Sequence, residues 1–159
     1  MLWNAAMTKI ALLLAAGAAA LPGVARAQAC VGDQVPGAAR LTVEAVGLRN
    51  GAGEIAFTVY PDDRRRFLAK GGKLLRARVR ATAPVTRACF LLRPGSYAVA
   101  LYHDENVDRN FNRTLFAPNE GFGFSNDAPT SIGLPSLAAA RFTVSSGGRT
   151  MRMRVRYRR

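Results

Sequence analysis

The sequence predicts an all-β protein: a single Ig-like or transthyretin-like β-sandwich of about seven strands, with one long loop after the fifth. Three observations carry this expectation. Apolar residues recur at every second position in several short segments, the period of a half-buried strand. Clusters of glycine and proline separate those segments. Helical spacing is scarce, so layers of sheet must supply the core.

The chain begins with a segment that does not belong to this fold. Lys9 precedes the apolar run from Ile10 to Ala20, which is too short to span a bilayer comfortably. Pro22-Gly23 breaks the run, and Ala25-Arg26-Ala27 provides a small-x-small cleavage signal. Residues 1–27 therefore read as a secretory signal peptide, and the mature protein is expected in the periplasm or outside the cell. Cleavage after Ala29 would instead expose Cys30 as in a lipoprotein, but Ala27 and Gln28 fit such a signal poorly. No second apolar stretch is long enough to cross a membrane, so a soluble or peripheral mature protein is expected. The roughly 130 residues that remain suit one domain with one core.

Residues 28–40 are small, polar and interrupted by Pro36-Gly37, and read as an extended arm leading to the domain at 41–159. Leu41, Val43 and Ala45 alternate with polar neighbours, and Arg49-Asn50-Gly51 with Gly53 forms a turn. Ile55, Phe57 and Val59 share one face of a strand from Glu54 to Tyr60, which Pro61-Asp62-Asp63 ends. Asp62 or Asp63 is placed to cap a short helical turn through Phe67-Leu68. From Lys73 to Ala81, Leu75, Ala77 and Val79 point one way and Arg76, Arg78 and Arg80 the other. Val85–Leu92 is a fourth strand, and Arg93-Pro94-Gly95 turns into a fifth, Tyr97–Tyr102. A long connection then runs from His103 to about Pro135, more than a compact domain usually leaves without purpose. Ser136 can cap one helical turn, and Gly147-Gly148 joins a strand at Arg141–Ser145 to a last one at Arg149–Tyr157. In that strand Met151, Met153, Val155 and Tyr157 are expected inside, and Arg152, Arg154, Arg156 and Arg158 outside.

Cys30 and Cys89 form an even pair. In an oxidising compartment the simplest reading is a disulfide tying the arm to the fourth strand; the other is two free thiols. Their Cα separation distinguishes these.

The long connection concentrates side-chain oxygens in an otherwise basic chain. Asp104, Asn106, Asp108, Asn110 and Asn112 occupy alternate positions, as in a calcium loop. Arg109 stands where such a loop needs glycine, and Leu115 where it needs a bidentate Glu. Asp104, Asn106, Asp108 and Asn110 are thus candidate calcium ligands; otherwise the loop bonds its own backbone. No other cofactor is suggested. His103, the one histidine, is flanked by Asp104 and Glu105 and has Glu120 within the same connection, the makings of a base or a further ligand. Ser96 and Ser125 lack a nucleophile-elbow pattern, so hydrolase chemistry through His103 ranks below a strut role. Phe116, Phe122, Phe124 and Tyr102 read as a local core rather than a ligand platform. Gly121 and Gly123 favour packing because they permit close backbone approach.

Several of these motifs occur together in one known family. Gly47-Leu48-Arg49-Asn50 with Gly53-Glu54-Ile55, Pro94-Gly95-x-Tyr97-Ala98-Val99-Ala100, His103-Asp104-Glu105-Asn106, Glu120-Gly121-Phe122-Gly123-Phe124-Ser125-Asn126 and Pro135-Ser136 resemble an exported bacterial family catalogued as domain of unknown function 2141. The resemblance extends over Leu41–Tyr157 and implies an exported, β-rich single domain without an assigned activity. Where that family usually reads Gly-Asn-Gly, this chain carries Val107-Asp108-Arg109.

Charge suggests the partner. The chain carries +13, of which Lys9 and Arg26 in the signal segment account for two, so the mature protein is +11. Arg76, Arg78 and Arg80 form one row, Arg152, Arg154 and Arg156 another, with Arg64-Arg65-Arg66 nearby in sequence. Such rows attract polyanions by counterion release. For an exported protein these are anionic components of the envelope; a nucleic-acid regulatory role is excluded by export and the lack of a readout module. The leading expectation is therefore a non-enzymatic envelope module that binds polyanions through arginine, with a calcium-dependent binding module built on residues 103–126 as the alternative.

Overall fold

A computed structural model describes residues 29–114, 117–131 and 133–157. The signal segment lies outside the described residues, as do Leu115, Phe116 and Arg158. The protein is mostly β, with two sheets of three and five strands facing each other and a separate two-stranded ribbon. Strands β1 (Ala39–Val46), β2 (Glu54–Pro61), β3 (Leu75–Arg80), β4 (Val85–Leu92) and β5 (Gly95–Asp104) lie where the five expected segments fall. The short strands β6 (Arg113–Thr114), β7 (Ala117–Pro118) and β8 (Gly121–Phe124) come next. One helical turn, α1 (Leu137–Ala140), precedes β9 (Phe142–Val144) and β10 (Arg149–Arg154).

One sheet has the order β10-β1-β4, with β1 parallel to β10 and antiparallel to β4. The other runs β3-β2-β5, and β8 and β9 share the remaining edge of β5. Inner faces obey the period of two. Leu41, Val43, Phe90 and Met153 meet Ile55, Phe57, Val59 and Val99, all essentially without exposed surface. The turn at residues 47–53 is not a hairpin, because β1 and β2 lie in different sheets. Gly53, at φ 66°, makes that crossing possible: a side chain there would collide with the Asp104 carbonyl.

The connection after β5 is more ordered than a single loop. Residues 121–124 return as β8 and pair with Ala100–His103. Sequence periodicity misses this strand because it is four residues long and half glycine, and glycine weakens the strand signal. Its position closes the sandwich on one side: Phe122 and Arg156 exchange backbone hydrogen bonds of 2.9 and 2.8 Å. A Cβ on Gly123 would lie 2.5 Å from the Arg154 carbonyl oxygen, so glycine is needed for that approach.

The same connection covers the outer face of the larger sheet. Ala98, Phe124, Ala128, Leu137 and Ala140 form a second core, with Phe67, Leu68 and Phe122 at its margin. Consequently β2 is buried on both faces, not one. Ser136 caps α1 as expected, accepting from the Ala139 N–H. Asp63 does cap a turn, its carboxylate accepting from Arg65 N–H at 2.8 Å. No helix follows, because Leu68 adopts φ 58°.

The Cα atoms of Cys30 and Cys89 are 4.4 Å apart and the residues are joined by a disulfide. Val31 pairs with Phe90 beside it, donating to Cys89 O and accepting from Leu91 N–H. The bond therefore fastens the arm to β4 across a sequence separation of 59. Replacing both cysteines by alanine should lower the unfolding free energy by about 4 kcal/mol in the loop-entropy limit. Urea denaturation of the oxidised and double-alanine proteins measures this directly, and a loss below about 1 kcal/mol would contradict the tether.

Candidate functional site

Strand β5 ends in His103 and Asp104, and alternation sends these neighbours to opposite faces. His103 points into the core and has no exposed surface. Its Nε2 lies 2.7 Å from Ala52 O and its Nδ1 2.6 Å from the Tyr157 hydroxyl. A carbonyl can only accept, so Nε2 carries the proton and Nδ1 accepts from Tyr157. Burial pushes the Tyr157 phenol up, which keeps that donor protonated. Both imidazole nitrogens are thus engaged in tying Ala52, in the crossing between the sheets, to Tyr157, beyond the last strand. Of the two acids that could serve His103 in hydrolysis, Glu120 sits beside Asp104 on the opposite face of the sheet and Glu105 is engaged by Arg49 and Asn50. Ser125 is likewise occupied: it accepts from Val99 N–H at 2.9 Å and donates to Ala140 O at 2.5 Å. It fills the gap on β5 between β8 and β9.

Asp104 points outward yet is completely buried. Arg78, reaching across β2, donates to Asp104 Oδ2 at 3.0 Å, Glu54 Oε1 at 2.5 Å, the Tyr102 hydroxyl at 2.6 Å and Arg109 O at 3.1 Å. Asp104 also accepts the backbone N–H of Asp108 at 3.2 Å and of Arg109 at 2.9 Å. The loop thus curls around one carboxylate. That curl requires left-handed backbone at Val107, φ 59°, and Arg109, φ 63°, a conformation that glycine adopts most easily.

Asp108 gathers the asparagines. It accepts from Asn106 Nδ2 at 3.0 Å, Asn112 Nδ2 at 2.6 Å and Asn110 N–H at 2.8 Å. Those bonds, Asn112 first, hold its carboxyl below the usual range. Asn110 turns back to Asp108 O at 3.2 Å. Much of the loop is therefore self-bonded, as Asx-rich loops are. Glu105 is held low by the Arg49 guanidinium and lies apart from this cluster.

Glu120 joins the loop from the start of β8. Its Oε2 accepts Asn112 N–H at 3.0 Å. One oxygen from each of Asp104, Asp108 and Glu120 lies within 4.8 Å of the others. Burial pushes the Glu120 carboxyl up, and Asp104 and Asp108 add to the shift. Glu120 was legible in the sequence as an acid before Gly-Phe-Gly-Phe, but its neighbours were set by the β5–β8 register.

The six arginines expected to form an anion-binding face do not share one surface. Arg76, Arg78 and Arg80 lie on the outer side of the five-stranded sheet, where Arg78 is consumed by the loop and Arg76 bonds Thr58 Oγ1 at 2.9 Å. Arg152, Arg154 and Arg156 belong to β10 and the residues after it, at the edge of the three-stranded sheet. Arg156 donates to Ala128 O and Asp127 O. Arg152 and Arg87 flank Glu44 at 3.1 and 2.7 Å. Arg40 is exposed on β1 of the same sheet, a residue that the sequence pattern did not single out.

Phe111 is a further residue that sequence reasoning missed. It packs between Tyr102 and Phe122, with ring centroids 5.4 and 6.3 Å away. Phe122 in turn meets Phe124 at 6.1 Å. Tyr102, Phe122 and Phe124 thus form the expected local core, and a cleft of about 210 Å³ remains between these rings, Tyr60 and Leu68. Among the described residues no helix is long and apolar enough to cross a membrane.

A two-sheet fold with a pinned, oxygen-rich loop at the end of its central strand defines the class of protein. The chain belongs to the family described as "Uncharacterized protein conserved in bacteria (DUF2141)", whose model matches residues 43–152. That span contains strands β2 to β9, the second half of β1 and the whole loop after β5. No curated protein and no solved structure matches the chain.

Two substitutions test this geometry. His103→Phe keeps the volume but strands Ala52 O and the Tyr157 hydroxyl, and should cost about 2–4 kcal/mol of stability in chemical denaturation. A loss under about 1 kcal/mol would show that the imidazole is not a strut. Val107→Gly should raise stability by about 0.5–1 kcal/mol, relief of left-handed strain outweighing glycine's chain entropy. The readout is a higher urea midpoint at unchanged slope; a lower midpoint contradicts the strain.

Proposed function

We propose that this protein is a non-catalytic exported module that binds polyanionic components of the bacterial envelope on the outer face of its three-stranded sheet. The observation that carries the reading is the composition of that face. Strands β1, β4 and β10 expose Arg40, Arg87, Arg152 and Arg154, and Glu44 is the only acid in the three strands. Arg87 and Arg152 hold the Glu44 carboxyl low, so its charge is fully compensated and the arginines remain in excess. A sheet face spaces such side chains regularly, and an anionic polymer lying across it releases counterions from several contacts at once. The signal segment at residues 1–27 supports export, and the Cys30–Cys89 disulfide suits an oxidising compartment.

Retention on heparin tests this reading. Arg152→Gln combined with Arg154→Gln should elute at lower salt and reduce the slope of log affinity against log salt by about one per arginine removed. Arg76→Gln combined with Arg80→Gln removes the same charge from the opposite sheet and should change retention much less. Equal losses in the two double variants would assign retention to net charge alone and defeat the proposed face.

A further inference from the structure

Glu120 is only 6% exposed, and its Oε1 is buried with no hydrogen-bond partner among the described residues. A buried carboxylate oxygen without a donor is expensive to leave unmade. Its carboxyl group faces those of Asp104 and Asp108, so three acids converge where repulsion opposes them. Among the described residues nearby charge does not cancel this. Arg78 is already matched by Glu54 at 2.5 Å, and it touches Asp104 only through Oδ2. Among the described residues Asp104 Oδ1 receives just one bond, from Asp108 N–H at 3.2 Å. In a chain of +13, this is a local concentration of negative charge.

The geometry points to a binding site for a hard divalent cation, calcium in class, between Asp104, Asp108 and the unpartnered oxygen of Glu120. Ligand oxygens on a calcium ion lie about 2.3–2.6 Å from it, so two of them stand at most about 5 Å apart. The mutual spacing of up to 4.8 Å among the three carboxylates is that of one coordination sphere. The donors are all oxygen, which selects calcium-like ions over zinc or copper. His103 takes no part, because it lies on the inner face with both nitrogens engaged. The site differs from the alternating register read along the loop. Asp104 and Asp108 remain ligands, but Asn106 and Asn110 serve to hold Asp108, and the third carboxylate comes from the residue just before β8. The amides of Asn106 and Asn112 on Asp108 Oδ2 would supply further oxygens when turned over. The cation would give Glu120 Oε1 the partner it lacks and lock β8 to the loop.

The test uses the oxidised mature protein, stripped with chelator and titrated with calcium chloride at ionic strength held constant with sodium chloride. Melting temperature and titration calorimetry are read together. A saturable rise of roughly 10 °C at about a hundred times Kd is expected, with matching heat of binding. Glu120→Gln should raise the melting temperature in chelator, since it relieves the repulsion, and abolish the calcium-dependent rise. Asp108→Asn, at an exposed position where folding is least at risk, should weaken calcium binding at least tenfold. Absence of both heat and shift in the wild-type protein overturns the site, as does an undiminished shift in Glu120→Gln.

Discussion

A fully buried carboxylate at the end of the central strand must be satisfied, and much of the loop's structure follows from how this is done. Asp104 has no contact with water. Removing one partner from a buried ion pair typically costs about 3–5 kcal/mol, because the remaining charge is left uncompensated. Arg78 supplies the opposite charge, and the N–H groups of Asp108 and Arg109 supply the remaining bonds. These bonds oblige the chain to curl tightly after β5. Arg78 must therefore be held in place, and Glu54, Tyr102 and the Arg109 carbonyl hold it.

Strand β5 divides the molecule's polar interior in two. On the inner face His103 links residue 52 to Tyr157 and braces the crossing between sheets. On the outer face Asp104 organises the loop and meets the acid that β8 brings back. One residue of register separates these roles, and a slip by one would exchange them. Gly53 and Gly123 keep the backbone crossings close enough for both. The apolar side chains of the same strand meanwhile supply both cores, Val99 and Leu101 inward and Ala98 outward.

Charge is distributed on the same two-sided plan. The outer face of the three-stranded sheet carries arginines with little to oppose them, whereas the outer face of the larger sheet spends its central arginine inside a carboxylate cluster. A row of arginines on a strand is thus not one functional unit. Arg78 and Arg156 brace backbone and acids, while Arg152 and Arg154 extend from the sheet toward solvent. The two faces thus differ in character, exposed arginine on one and converging carboxylates on the other.

The sequence by itself determined what depends on short-range order. Period-two alternation placed the long strands and their inner residues, Ser136 marked its helical turn, and Gly121-x-Gly123 marked a close approach. Family resemblance to an uncharacterized group identified the same chain that the family model matches. The oxygen-rich character of residues 104–112 was also legible, because it is composition at fixed spacing. Tertiary structure alone decided what depends on which strands meet. A four-residue strand with two glycines carries almost no intrinsic signal, yet its pairing with β5 sets Glu120 beside Asp104 and lays Phe122 and Phe124 over the outer face. Arg76, Arg78 and Arg80 look equivalent in the sequence. Only the cross-sheet register brings the middle one within reach of Asp104, because partners far apart in the chain are chosen by packing and not by local pattern.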